Sequence, residues 1–221
     1  MSCLRKTTRR KLLALCAEVG AFCLTVGVIA GGAAVSIATR EVTAKERVQQ
    51  VVNETIIYGV DGKASSVRIS GWENPSMEFV PLDIKLDLDL QEYIFYLCSA
   101  YDIDYAFVLG LIDTESRFKN NIVSSSGDYG LMQINKGNHA MLQRALGVMD
   151  FTDPYDNVKA GLYILRMLFE RYRDARKVCM AYNLGEGGAS RLWKAGVTST
   201  KYSNEVLERR DKYKEMLENG S

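Results

Sequence analysis

The sequence predicts a mainly α domain over residues 82–221, preceded by an apolar N-terminal segment and a linker. Three observations carry this. From Leu82 onward apolar residues recur at i, i+3, i+4 and i+7, the period of a helix with one buried face. Asp, Pro and Gly punctuate that pattern where helices start and stop. No long run of alternating polar and apolar residues, the mark of a half-buried strand, occurs in this half.

The N-terminal elements come first. Residues 1–11 carry Arg5, Lys6, Arg9, Arg10 and Lys11 and read as a basic cytoplasmic tail. Val19 to Thr39 runs without a charge, which is long enough to cross a bilayer as a helix. Glu18 sits at its basic end, within reach of the headgroups. Residues 12–39 are therefore expected to be a single-pass transmembrane signal-anchor in the cell membrane, with everything from Arg40 outside. The run exceeds the apolar core of an ordinary cleaved signal peptide, although the small residues of "GGAAVSIA" leave cleavage open. Residues 40–81 read as an extracytoplasmic linker or stalk. Within it "EVTAKERVQQVVNET" suits a short helix, and "IIYGVDGKASSVRIS" places two apolar runs around an Asp61-Gly62 turn.

Five helices and a polar sixth are expected beyond the linker. "DLQEYIFYLCSAY" has Asp89 and Glu92 at capping-box spacing and an apolar stripe of Ile94, Leu97, Cys98 and Tyr101. "DYAFVLGLIDTESRF" begins at Asp104, a good N-cap. "TDPYDNVKAGLYILRMLFERY" has Asp153 as cap and Pro154 at the first helical position. "ARKVCMAYNLG" ends at Gly185 and "GASRLWKAG" at Gly196, glycines suited to helix C-termini. "SNEVLERRDKYKEML" closes the chain as a polar amphipathic helix.

Composition excludes several classes of function. A net charge of +1 gives no basic field for nucleic acid. A single histidine, His139, rules out a His-rich metal site, and the five cysteines show no metal-type pairing, so neither metal nor cofactor is implied. Cys98 and Cys179 fall within helical periodicity, where a buried free thiol is the ordinary outcome.

Three stretches concentrate chemistry. Glu115 continues the apolar stripe of Val108, Leu111 and Ile112, so it is expected to lie buried in the last helical turn. Burial raises a carboxyl pKa, and an acid still protonated near neutrality is what general acid catalysis needs. An ion pair with Arg117 is the plain structural alternative, and Asp113 should face solvent. "GDYGLMQIN" follows, with the amides of Gln133 and Asn135 suited to hydroxyl and acetamido groups. "AYNLGEGG" places Tyr182 and Asn183 beside a helix end, where a phenol can meet a buried carboxylate.

Taken together, "ES.F", a Ser/Gly loop, "GLMQIN" and "AYN.G" resemble the lysozyme-like lytic transglycosylases, from about Leu86 to Leu217. "DYGLMQIN" and "DPYDNVKAGLYIL" look like the single-domain members attached to conjugation and secretion machineries. The resemblance implies a lysozyme-like fold and, as substrate, the β-1,4 bond between N-acetylmuramic acid and N-acetylglucosamine in peptidoglycan. It makes Glu115 the catalytic acid/base. Ser116, Gly130, Met132, Gln133, Tyr182 and Asn183 become residues of the glycan site. Asp128 stands where animal lysozymes carry a second catalytic carboxylate. It is open whether Asp128 takes part in the chemistry or holds the turn through backbone amides. A lytic transglycosylase, a hydrolysing muramidase and a non-catalytic wall-binding assembly protein are the three readings.

Overall fold

The structure, a computed structural model, describes residues 78–219, together with Thr43, Ala44, Glu46, Arg47 and two short strands in the linker. The expected tail 1–11 and transmembrane segment 12–39 lie outside the described residues. Among the described residues no helix is long and apolar enough to cross a membrane. In the linker, Glu46 N–H donates to the Thr43 hydroxyl while the Glu46 carboxylate accepts from Thr43 N–H, at 3.2 and 3.0 Å. That reciprocal pair is a capping box at the start of a helical turn holding Ala44, Glu46 and Arg47; the rest of the short helix expected there lies outside the described residues. β1 (Ile56–Tyr58) and β2 (Ala64–Ser66) pair antiparallel, with Ile56 opposite Ser66; the Asp61-Gly62 turn expected between them lies outside the described residues.

Six helices build the domain: α1 (Leu88–Tyr101), α2 (Tyr105–Ser116), α3 (His139–Leu146), α4 (Pro154–Tyr172), α5 (Ala175–Lys194) and α6 (Lys201–Asn219). Between α2 and α3 lies a small hairpin, β3 (Asp128–Tyr129) with β4 (Ile134–Asn135), in register Asp128 to Asn135. Asp104 caps α2 by accepting from Ala106 N–H, and Asp153 caps α4 by accepting from Tyr155 and Asp156 N–H, as the sequence predicts. Cys98 and Cys179 are free, buried thiols.

Two expectations need correction, and one helix lies where the sequence predicts none. α1 starts two residues earlier than the Asp89 capping box implies, at N-cap Asp87, which makes no side-chain cap bond. The buried Gln91 amide pins that start instead: it accepts from Leu82 N–H and donates to the Leu82 and Leu86 carbonyls. The helix end expected at Gly185 is found: Gly185 is non-helical (φ 67°, ψ 157°), a conformation open to glycine, and divides α5 into two helical stretches. α3 is the unexpected helix: Asn138 stands at its N-cap position but makes no side-chain cap bond. Asp113 is buried and not solvent-facing, because α6 covers it with cationic and phenolic donors.

α2 is the centre of the core. Val108, Leu109, Leu111 and Ile112 are all fully buried, so the helix is apolar on every side and has neighbours on every side. α6 crosses it at Gly110, where a Cβ would lie 2.7 Å from the Arg210 nitrogen and 2.8 Å from the Val206 carbonyl oxygen. Real side chains do not approach backbone so closely, so only glycine lets the two helices meet here. Gly110→Ala is expected to destabilise the fold by about 2 kcal/mol or more through overpacking. Urea unfolding followed by circular dichroism measures it, and an unchanged midpoint would contradict this packing.

Candidate active site

The last turn of α2 delivers Glu115 to a cavity of about 450 Å³. Asp128, Gln133, Ile134, Asn135, Asn138, Ile164, Tyr182, Asn183 and Gly185 complete its lining. Separate parts of the chain thus converge: the end of α2, the β3–β4 hairpin with the turn after it, Ile164 of α4 and the break in α5. A wider depression of about 870 Å³ lies on α6, but all its lining residues, such as Lys201, Glu205 and Lys212, come from that one helix. It is a gap between charged side chains and offers no convergent chemistry.

Glu115 is largely enclosed, and burial pushes its carboxyl from the usual 4.5 to about 7. The Tyr202 hydroxyl of α6 donates to Glu115 Oε1 and pulls the other way, while the charge of Asp128 pushes further up. Burial wins, because no cation stands close enough to favour the ionised form. Arg117 does not pair with Glu115; it faces Asp113 at 3.7 Å and Glu205 at 3.5 Å.

Asp128 is held by its own turn. Its two oxygens accept from the Ser124 hydroxyl and the Asn135 amide, each at 2.7 Å, and its N–H donates to Ser124 Oγ at 3.0 Å. The carboxylate therefore holds the turn through side-chain donors, not the backbone amides expected, and it lines the cavity that Glu115 shares.

The hairpin wall is anchored from behind. Asn157 of α4 is fully buried; its Oδ1 accepts from Met132 N–H at 2.8 Å, and its Nδ2 donates to the Tyr129 and Phe151 carbonyls. Gly130 (φ 71°) sits so close that a Cβ there would be 2.4 Å from Asn157 Nδ2. Met132 is fully buried and fills the space left by Gly161, whose added Cβ would overlap its sulfur. Gln133 adopts a left-handed backbone (φ 48°), with its amide donating to the Gly130 carbonyl at 2.8 Å. Such strain in a non-glycine residue is typical of a functional turn.

Of the expected site residues, Glu115, Asp128, Gln133, Tyr182 and Asn183 share the cavity. Gly130 and Met132 stand behind its wall. Ser116 is buried, with its hydroxyl donated to the Ile112 carbonyl at 3.1 Å, so it finishes the helix and does not face a ligand. The Tyr182 hydroxyl donates to the Met132 carbonyl at 2.8 Å, and the phenol that meets the carboxylate is Tyr202. Burial beside Glu115 pushes both phenols well above their ordinary range, so both stay neutral donors. Tyr202 escaped sequence reasoning because it lies far along the chain in a polar helix; Asn157, the other omission, looked like an ordinary helix-start residue.

Comparison with known proteins gives the family. Residues 92–206, just over half of the chain, match the family model described as the transglycosylase SLT domain. The chain belongs to that family. Among relatives of this SLT-domain chain, the transglycosylase of Enterobacteria phage PRD1 is 31% identical over 109 residues, 49% of this chain and 38% of that protein. Membrane-bound lytic murein transglycosylase C of Haemophilus influenzae (strain PittEE) is 26% identical over 169 residues, 66% of this chain and 47% of that one. The chain thus spans less than half the length of either relative. A 70-kDa soluble lytic transglycosylase, solved in complex with bulgecin A, superimposes with a TM-score of 0.51 at 19% identity, over 58% of this chain and 26% of that one. That likeness shows a shared mainly helical, lysozyme-like fold in the SLT domain.

The raised acid has a consequence for stability. Between pH 4.5 and about 7 the folded SLT domain holds a proton on Glu115 that the unfolded chain releases. Stability is therefore lost as pH rises through this window, by about 3 kcal/mol in total. Glu115→Gln, which cannot ionise, is expected to melt higher than the wild type at pH 8 and level with it at pH 4. Calorimetry at the two pH values measures this, and equal melting temperatures at pH 8 would refute a strongly raised acid.

Proposed function

We propose that this chain cleaves the β-1,4 bond between N-acetylmuramic acid and N-acetylglucosamine in peptidoglycan as a lytic transglycosylase. The single observation that carries the reading is Glu115: an enclosed carboxyl raised to about 7, opening onto a cavity lined by amide side chains. Membership of the SLT family supports it.

Glu115 starts protonated and gives its proton to the leaving glycosidic oxygen. The bond from that oxygen to C1 of the muramic sugar breaks, and positive charge develops on C1 and the ring oxygen. The N-acetyl group of the same sugar shares that charge. Glu115, now a carboxylate, removes the proton of the C6 hydroxyl, whose oxygen closes on C1. The product is a 1,6-anhydro end, and Glu115 has its proton back. Tyr202 donates to Glu115 Oε1 and keeps the carboxyl aimed throughout the cycle. Gln133, Asn183 and Asn138 offer amides to sugar hydroxyls and acetamido groups.

Asp128 supports a second reading, because it is a carboxylate in the same cavity. In a hydrolysing muramidase it would stabilise C1 or act as nucleophile, the usual two-carboxylate arrangement of glycosidases. In the lytic reading its charge keeps Glu115 protonated and favours the developing cation. Asp128→Asn is then expected to reduce the rate and leave the anhydro product unchanged.

The membrane-bound relative and the charge-free run Val19–Thr39 support a chain anchored by its N-terminus, with the catalytic domain on the wall side. Local opening of the wall for a conjugation or type IV secretion apparatus fits that arrangement and the motif resemblance. No nucleic-acid partner is called for.

Digestion of purified peptidoglycan followed by mass spectrometry tests the reaction. Anhydromuramoyl ends are expected from the wild type and at least a thousandfold fewer from Glu115→Gln, about the loss of a general acid together with its return step. Reducing ends without anhydro sugars would establish the muramidase, and undiminished function in Glu115→Gln would leave only a wall-binding role. With a wild-type acid at about 7, the rate should fall as pH rises through neutrality.

A further inference from the structure

α6 buries Ser203, Val206 and Tyr213 and packs Tyr202, Leu207, Met216 and Leu217 against the core. This helix also carries the hydroxyl that donates to Glu115, that of Tyr202. Apolar packing holds α6 down without direction; polar bonds add a directional constraint on its register. Asp113 stands two residues before Glu115 on α2, about 200° around the helix. Its Oδ2 accepts from the Arg209 guanidinium and from the Tyr213 hydroxyl, the latter at 3.0 Å. Arg209 also bonds Glu205 at 2.8 Å, and Arg117 closes the ring between Asp113 and Glu205. Phe118 packs edge-on against the Tyr213 ring at 6.0 Å. The Asp113 and Arg209 side chains are 12% and 18% exposed, so water does little to screen or replace the pair.

We propose that Asp113, Arg209 and Tyr213 are positioning residues for the catalytic acid: their cluster sets the register of α6 on α2 and thereby the placement of Tyr202 against Glu115. The same two helices carry both contacts, and the close crossing at Gly110 lies within the span of α6 that joins them. A shift of α6 along or around its axis moves the Tyr202 hydroxyl off a bond that depends on direction as well as distance. The cluster touches neither the cavity nor a ligand, and it rests on the proposed role of Glu115.

The groups facing Glu115 are Tyr202 from α6, Tyr182 from α5 and Asp128 from β3. Of these only Tyr202 draws the carboxyl down through a hydrogen bond, so losing its placement must raise the pH at which Glu115 titrates. Tyr213→Phe and Arg209→Lys keep the ring and the charge while loosening the cluster. In the full chain with glutamate side-chain carboxyls labelled with carbon-13, Glu115→Gln identifies the Glu115 resonance. Both variants are expected to move its titration midpoint upward, the same direction as Tyr202→Phe, and to add nothing in the Tyr202→Phe background. The alkaline limb of the wall-digestion profile should move with it. A lowered melting temperature with an unmoved midpoint would overturn the proposal and leave a purely structural clamp. Full shifts in the Tyr202→Phe background would overturn it too, since the effect would then bypass Tyr202. A wild type that titrates as described but cuts no glycan would refute the functional reading and leave the positioning role standing.

Discussion

The approach of α6 to α2 at Gly110 is the constraint on which the site depends. A helix core normally keeps its neighbours apart by the width of side chains. At Gly110 that spacing collapses, and backbone of α6 lies where a Cβ would stand. Two consequences follow from one missing methyl group. The short phenol of Tyr202 can span from one helix to the carboxyl of the other, and the carboxylate of Asp113 can be reached by Arg209 and Tyr213. α6 is thereby tied to the helix that carries the acid by directed polar bonds in addition to its apolar packing.

The acid itself is a balance of unequal forces. Enclosure at the end of an apolar helix disfavours charge on Glu115, and the anion of Asp128 adds to that. Tyr202 opposes both with one hydrogen bond. The outcome is a carboxyl poised near neutrality, able to give a proton and to take one back. Asp113 on the same helix has its charge answered by a guanidinium. Two carboxyls two residues apart thus have opposite environments, one set for chemistry and one for assembly, decided by which partner α6 offers each.

Much of this was legible in the sequence, for physical reasons that differ by residue. Helical periodicity placed Ile94, Leu97, Val108 and Leu111 in the core, and local chemistry placed the caps Asp104 and Asp153. Glu115 was legible because an acid on an apolar stripe is an anomaly within one helix. Asp113 was misread for the same reason: its burial depends on a partner helix nearly a hundred residues away, which no local pattern reports. Tyr202 and Asn157 belong with it, since each acts through a long-range bond made by an unremarkable residue. Ser116 and Met132 fall in the motif segments, yet the structure gives them packing duties. A short motif records what a site requires, whether to touch a ligand or to hold up the residue that does.

The attachment of the β3–β4 hairpin has a consequence of its own. One amide, that of Asn157, ties the Tyr129, Met132 and Phe151 backbones from the inner side, and Met132 plugs into the hollow of Gly161. The support is thus separate from the face that lines the cavity, where Gln133, Asn135 and Asn138 look outward. A wall built this way is modular: its facing can be retiled for a differently decorated glycan without moving the beam behind it. Two tiles are exceptions: the Gln133 amide also bonds the Gly130 carbonyl, and the Asn135 amide steadies Asp128, so altering Asn135 disturbs the charge beside the acid.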